Sequence, residues 1–171
     1  MLHCLLLLND DNYVLLARYF DAAITQDARK RFESQLARIC ARQMPQLWAK
    51  APAGASVPEQ LLVCDGQYVV LRAIGDLRAI IAGNEEYDEL VISTHTTEQV
   101  LTETVVVSEV LNVVHAMLVT QLEKKLTEPS LMANYAKVVA AIDEMVQQGH
   151  LETADESAIE QMSKLKPFPV K

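Results

Sequence analysis

Residues 60–82 read QLLVCDGQYVVLRAIGDLRAIIA and place two tight-turn signals between three apolar segments. Asp65-Gly66 favours a type I′ hairpin turn, because this pair tolerates two consecutive positive φ angles. Gly75-Asp76 favours a type II′ turn, in which glycine occupies the first central position. The three strands that these turns delimit are Gln60–Cys64, Gln67–Ile74 and Leu77–Ala82. The segment therefore predicts a three-stranded antiparallel meander.

An apolar run opens the chain and predicts a second group of strands. The run extends to Leu8 and is apolar at successive positions, so we expect Leu5–Leu8 to lie in a central strand with both faces buried. Residues Asn9–Asn12 are dense in turn-forming side chains, and Tyr13–Phe20 is rich in aromatic and aliphatic residues. Together these segments predict an antiparallel hairpin.

Helical periodicity marks the remaining elements. The predicted helices are Thr25–Met44, which Pro45 stops, Pro129–Gln148, which Gly149 caps, and a short last helix that begins at Thr153. Residues 85–123 are predicted to be helical at both ends, whereas the threonine and valine of Ser93–Val107 suit strand or loop. We expect Ala51–Val57 and parts of Ser93–Thr104 to be the most mobile internal segments.

The order of these elements is ββαβββααα, which predicts an α+β fold. A hairpin and a meander joined by one helix can form a single five-stranded antiparallel sheet, and both faces of that sheet must be covered by helices. This arrangement is longin-like (profilin-like). We expect one domain over residues 1–165 and a loose C-terminal tail over residues 166–171.

Composition excludes several classes of function. The formal net charge of −8 disfavours direct binding to nucleic acid or to anionic lipid, although Arg38, Arg42 and Lys50 come nearest to a basic patch. No apolar run has the length of a membrane span, and the N-terminal run has no basic flank typical of a signal peptide. The three cysteines, Cys4, Cys40 and Cys64, lie among apolar neighbours and are read as buried free thiols. The sequence therefore indicates a soluble cytoplasmic protein.

No grouping of residues points to catalysis, a cofactor or a metal. The four histidines are not spaced as ligands with one another, with cysteine or with carboxylates. Asp143 and Glu144 are adjacent on a predicted helix, so their side chains point in different directions and do not converge on one substrate atom. No phosphate-binding glycine loop or nucleophile elbow occurs. We expect no catalytic residue, no cofactor and no enzyme activity.

Short motifs distributed along the chain resemble those of coatomer (COPI) zeta subunits. The resembling stretches, in the family's order, are LLNDD (7–11), LLARYFD (15–21), KRFE (30–33), YVV (68–70), EYDEL (86–90), VLN (110–112), LMAN (131–134) and AIDEMV (141–146). The small sigma subunits of clathrin adaptors share the fold and the Asp143-Glu144-Met145 motif, but they match less well at the first hairpin and at Leu131–Asn134. The proline-rich loop 45–58 and Ser93–Val107 depart from the family pattern.

The resemblance implies a structural coat subunit that pairs with the trunk of a large gamma-type subunit and joins the other coatomer subunits. It also implies indirect association with an Arf-type GTPase and a peripheral location on Golgi membranes and COPI vesicles, in Golgi–ER and intra-Golgi transport. A sigma-type subunit of a clathrin adaptor and a longin-domain regulator of a small GTPase stay open as alternatives. A mean hydropathy of +0.09 with 22% charged residues further suggests a large obligate interface.

Three residues are candidates for that partner interface. Trp48 is the only tryptophan and lies in the proline-rich loop, where it would either anchor a partner or fold back on its own domain. His115 lies beside Met117 on a predicted helix, which suits core or interface packing. Leu77 belongs to the hairpin that, in sigma subunits, helps to form a pocket for acidic dileucine signals; because the zeta match is better, that activity is not inferred here.

Overall fold

The computed structural model describes residues 1–47, 59–83 and 110–152, and for residues 43–47 it describes the backbone alone. The strands of the main sheet are β1 (Leu2–Leu8), β2 (Val14–Tyr19), β3 (Gln60–Cys64), β4 (Gln67–Ile74) and β5 (Leu77–Gly83). The helices are α1 (Gln26–Leu47), α2 (110–121), α3 (Glu128–Ala133) and α4 (Tyr135–Met145), and a two-stranded hairpin, β6 (Val146–Gln147) and β7 (His150–Leu151), follows them. The expected α+β fold is confirmed.

The sheet has the order β2-β1-β5-β4-β3, and every neighbouring pair is antiparallel. β1 lies between β2 and β5, so the prediction that Leu5–Leu8 is inside the sheet is confirmed. The two turns of the meander also agree with the sequence. Asp65 and Gly66 both have positive φ, as a type I′ turn requires, whereas at the second turn only Gly75 does, as type II′ requires.

Alternation of side chains along the strands builds two separate cores on the two faces of the sheet. On one face Cys4, Leu6 and Leu8 of β1 pack with Phe32, Leu36 and other residues of α1. The other face is covered by α2, α3 and α4, and its core includes the residues Leu5, Leu7, Leu16, Ile81, Leu111, Leu118, Val138 and Ile142. Helices therefore cover both faces, and the continuous apolar run of β1 is explained because it feeds both cores.

The helices differ from the sequence prediction in three places. α1 continues to Leu47 and carries Pro45 in its last turn, so the predicted stop at Pro45 is wrong; the proline removes the one backbone hydrogen bond of its own N–H without ending the helix. The predicted helix Pro129–Gln148 is instead two helices that meet at Asn134, where the backbone has φ −110° and ψ 16°. It ends at Met145, because Gln148 and Gly149 have positive φ and form the turn of the β6–β7 hairpin.

Several predictions fall outside the described residues. They are the mobile segments Ala51–Val57 and Ser93–Thr104, the short helix from Thr153, the domain limit at 165 and the tail 166–171. No helix within the described residues is both long enough and apolar enough to span a membrane.

Candidate partner-binding surface

The structure separates the three residues that the sequence proposes for the interface. Leu77, at the start of β5, is 0% exposed and belongs to the core beneath α2–α4. His115 is half-buried on α2, where burial lowers the pKa of its imidazole and the positive charge of Arg72 lowers it further. Trp48 lies outside the described residues. The interface roles of these residues stay predictions, and the exposed apolar groups lie elsewhere.

One exposed apolar surface is the outer edge of β3. Leu61 and Val63 are 45% and 59% exposed, on the sheet face that α2–α4 cover elsewhere. Cys64 and Gln67 flank a two-residue turn and form a hydrogen-bonded pair, so the backbone groups of Leu61 and Val63 face away from β4. Within the described sheet no strand lies beyond β3. This edge therefore offers apolar side chains together with backbone donors and acceptors.

A second apolar surface lies between α1 and β2. Val14 is 44% exposed there, and Tyr13 beside it is 70% exposed. A groove of about 140 Å³ runs between the two elements. It is lined by residues of β1, β2, α1 and β5 and of the first turn, namely Leu6, Leu8, Asn12, Val14, Glu33, Leu36, Ala37, Cys40, Ala41 and Ile80. The helix presents the small side chains of Ala37 and Ala41 along this side, which leaves room for the groove.

Polar and aromatic contacts fix the first half of α1 against the sheet. The Tyr19 hydroxyl donates to Glu33 Oε1 at 2.9 Å, and the Arg29 guanidinium lies 4.9 Å from the centre of the Tyr19 ring. Burial, followed by the negative charges nearby, raises the pKa of Tyr19, so its hydroxyl keeps the proton that it donates. The His3 ring packs edge-on against Tyr19 and Phe32. These contacts fix the position of α1, which forms one wall of the groove.

Carboxylates gather at the end of the sheet that holds the β1–β2 turn and the tip of the β4–β5 hairpin, next to the groove residue Asn12. A cleft of about 230 Å³ is lined by Asn9, Asp10, Asp11, Asp76, Thr127, Glu128 and Pro129. Asn9 Nδ2 donates to Glu128 Oε2 at 3.2 Å, and Arg78 lies 3.8 Å from an oxygen of Asp10. This acidic cleft lies next to Gly75–Leu77, so its charge would repel an acidic dileucine signal at that hairpin.

The described residues give no support to catalysis. In the ranges 1–47, 59–83 and 110–152, no group of three or more histidine, cysteine, aspartate or glutamate side chains could hold a metal ion. The thiols of Cys4, Cys40 and Cys64 are buried, and burial raises the pKa of each, which disfavours the reactive thiolate. Asp143, one of the adjacent carboxylates, forms an ion pair with Arg18.

Part of this surface can be predicted from the sequence. The sequence marks Arg38 and Arg42 as basic, but it misses the groove, because a gap between a helix and a sheet edge depends on tertiary packing. It also misses the exposed edge of β3, although the alternation of Leu61 and Val63 with the buried Leu62 and Cys64 carries that signal.

Comparison with known proteins agrees with this architecture. The sequence matches the family described as clathrin adaptor complex small chain over residues 1–167. It is 23% identical over 168 residues to TSET complex member tstD of Dictyostelium discoideum, covering 97% of this chain and 94% of that protein. The fold resembles a chain in a homology model of the full-length AP-3 complex in a stretched open conformation (TM-score 0.56, 12% identity, 95% of this chain and 91% of that chain). Together with the five-stranded sheet and its two helical layers, the match over residues 1–167 shows that this chain belongs to the clathrin adaptor complex small chain family.

Proposed function

We propose that this chain is the small subunit of an adaptor-type vesicle coat complex, held by a large subunit of that complex and without a reaction of its own. The observation that carries the proposal is the family match over residues 1–167. The surface is consistent with it: an open apolar strand edge on a small domain favours a permanent partner over an isolated monomer. As a coat subunit, the chain would reach membranes through its complex, in keeping with its own net charge of −8.

The relative from Dictyostelium discoideum favours a TSET-type complex, since the match extends over 94% of that protein. A second candidate is the zeta subunit of coatomer, paired with a gamma-type subunit on Golgi membranes and recruited through an Arf-type GTPase. The observations that favour it are the LLNDD and LMAN stretches at residues 7–11 and 131–134. A sigma-type subunit of a clathrin adaptor fits the family equally well.

Affinity purification of the tagged full chain, followed by mass spectrometry of the stoichiometric partners, tests the proposal. A TSET, coatomer gamma or adaptin large subunit, recovered in equal amount, would support it and identify the complex. Recovery of the chain without any large coat subunit, together with a stable monomer on gel filtration, would contradict it.

A pair of variants then tests where the large subunit binds. We expect Leu61→Asp/Val63→Asp to dissociate the pair on gel filtration at micromolar concentration, because charge on an apolar strand edge blocks its pairing. Met132→Asp on α3 is the matched control, since that side chain is similarly exposed but lies away from β3. Equal retention of the partner by both variants would exclude the β3 edge as the contact.

A further inference from the structure

The outer face of α1 carries a row of exposed arginines. Arg31, Arg38 and Arg42 are separated by seven and four residues, so they lie on one flank of the helix. None of the three forms an ion pair with any described residue. The surrounding chain is acidic, with 23 carboxylates against 15 lysines and arginines. This row is therefore a local positive surface on an acidic protein, and the carboxylate nearest to it along the same flank is Asp27, one turn before Arg31.

Small residues form a ridge beside the arginine row. Ser34, Ala37 and Ala41 follow each other at intervals of three and four residues, and all three are exposed. The Ser34 hydroxyl donates to the carbonyl oxygen of Lys30 at 2.7 Å, so it is turned back onto its own helix. A ridge without large side chains allows another backbone to approach α1 closely.

The apolar groove lies on the far side of this ridge from the arginine row. Ala37 and Ala41 belong to both the ridge and the groove, and Leu6 and Leu8 form the floor of the groove. An apolar cavity of about 150 Å³ admits a benzene molecule. The groove, at about 140 Å³, can therefore take an aliphatic or aromatic side chain from a bound partner.

These features follow one another around the helix as groove, ridge and arginine row. We propose that the outer face of α1 docks an amphipathic acidic helix of a partner protein, with its apolar side chains in the groove and its carboxylates over Arg31, Arg38 and Arg42. A partner helix has the shape required. Residues three and four apart would form an apolar stripe along it, and a parallel acidic stripe would lie beside that one. Arginine suits carboxylate partners through paired hydrogen bonds.

Other occupants fit less well. The α1 face of a second copy would present the same arginines and would be repelled. An anionic membrane would meet the net charge of −8 on the rest of the chain. The inference depends on the surface of α1 and not on which coat complex contains the chain, so it stands or falls separately from the proposed function.

The test is fluorescence anisotropy of a labelled 18-residue peptide titrated with the full chain. The peptide has leucine every third or fourth residue and glutamate directly after each leucine, so that the two stripes lie side by side; a second peptide has glutamine in place of glutamate. We expect Arg31→Gln/Arg38→Gln/Arg42→Gln to weaken binding of the acidic peptide by about tenfold or more, since three exposed ion pairs are lost. Ala37→Phe, which fills the groove, should weaken binding of both peptides.

The matched control is Lys124→Gln/Lys125→Gln/Lys137→Gln, which removes the same charge from exposed positions away from α1. It should retain binding within about threefold, the change expected from long-range charge alone, and far-UV circular dichroism should show that all variants fold. Failure of the acidic peptide to bind, or equal binding to both triple variants, would overturn the proposal. So would loss of discrimination between the two peptides, or binding of phosphatidylserine vesicles that depends on the three arginines and excludes the peptide.

Discussion

Replacing Gly75 with alanine tests how tightly the β4–β5 turn is held against the connection between α2 and α3. Gly75 has φ +64°, and a Cβ built on it would lie 2.5 Å from the carbonyl oxygen and 2.6 Å from the Cβ of Leu126. That same carbonyl accepts a hydrogen bond from the Asp76 backbone at 2.9 Å. Gly66, at φ +76° in the neighbouring turn, has open space where its Cβ would be. The two glycines therefore share the backbone strain but differ in the clash.

The two substitutions should have separable costs. At Gly66 only the left-handed backbone is penalised, which lowers the free energy of unfolding by about 1–2 kcal/mol. At Gly75 the same strain is joined by overpacking of about 1–3 kcal/mol. Moving Leu126 away would also weaken the bond to Asp76, at about 1 kcal/mol. We therefore expect Gly75→Ala to cost about 2–4 kcal/mol more than Gly66→Ala.

Urea unfolding of the full chain, followed by far-UV circular dichroism, measures this difference. With a slope of about 1–3 kcal/mol per molar, the midpoint for Gly75→Ala should lie at least about 0.7 M below that for Gly66→Ala. Midpoints that coincide would refute the reasoning, because they would mean that the Leu126 connection moves aside without cost.

Three further predictions follow from burial. Phe32→Ala should lower the free energy of unfolding by about 3–5 kcal/mol in the same urea assay, because it empties the centre of the α1 core; a loss below about 1 kcal/mol would contradict that packing. Because the folded protein holds the pKa of His115 below its ordinary value, the unfolded chain binds more protons, so stability should decline as the pH falls below about 6.5. Unfolding midpoints measured from pH 7.5 to 5.5 should fall less steeply for His115→Gln, and an unchanged slope would exclude this histidine as a cause. Thiol labelling read by mass spectrometry should modify Cys40, which lines the groove, before Cys4, which should react only on unfolding; the reverse order would be incompatible with the described burial.

The main sheet is predictable because its signals are local. Asp65-Gly66 and Gly75-Asp76 specify turn types through backbone conformations that few other residues adopt, and the observed φ angles agree. The position of β1 inside the sheet also follows from sequence, since an unbroken apolar run such as Leu5–Leu8 is stable only when both faces are covered.

The C-terminal half is less predictable because its boundaries depend on tertiary contacts. Periodicity from Leu131 to Met145 continues through Asn134, although the helix breaks there, because both helices turn their apolar sides to the same core. Gly149 is equally suited to a helix cap and to a hairpin turn. A contact distant in sequence supports the hairpin: the backbone N–H of Leu2 donates to the Gly149 carbonyl oxygen at 2.7 Å.

The binding surface is the part that sequence predicts least. Spacing reveals that Arg38 and Arg42 share a flank of α1, but the exposure of a ridge or groove depends on how the helix packs on the sheet. Leu77 illustrates the opposite case: an apolar residue beside a turn suits either a core or an interface, and only the packing beneath α2–α4 distinguishes them.

Because β1 pairs with β5, the sheet cannot be completed during synthesis until β5 has left the ribosome. Residues 9–76 separate these two strands, so β1 and β2 leave the exit tunnel long before the strand that covers their inner edge. Until Leu77–Gly83 arrives, Leu5–Leu8 presents leucines on both faces and an open row of backbone groups, which is the pattern that invites pairing with other chains. A nascent or truncated chain that stops short of Gly83 should therefore depend on chaperones, and interrupted synthesis would be more harmful to this fold than most substitutions on its surface.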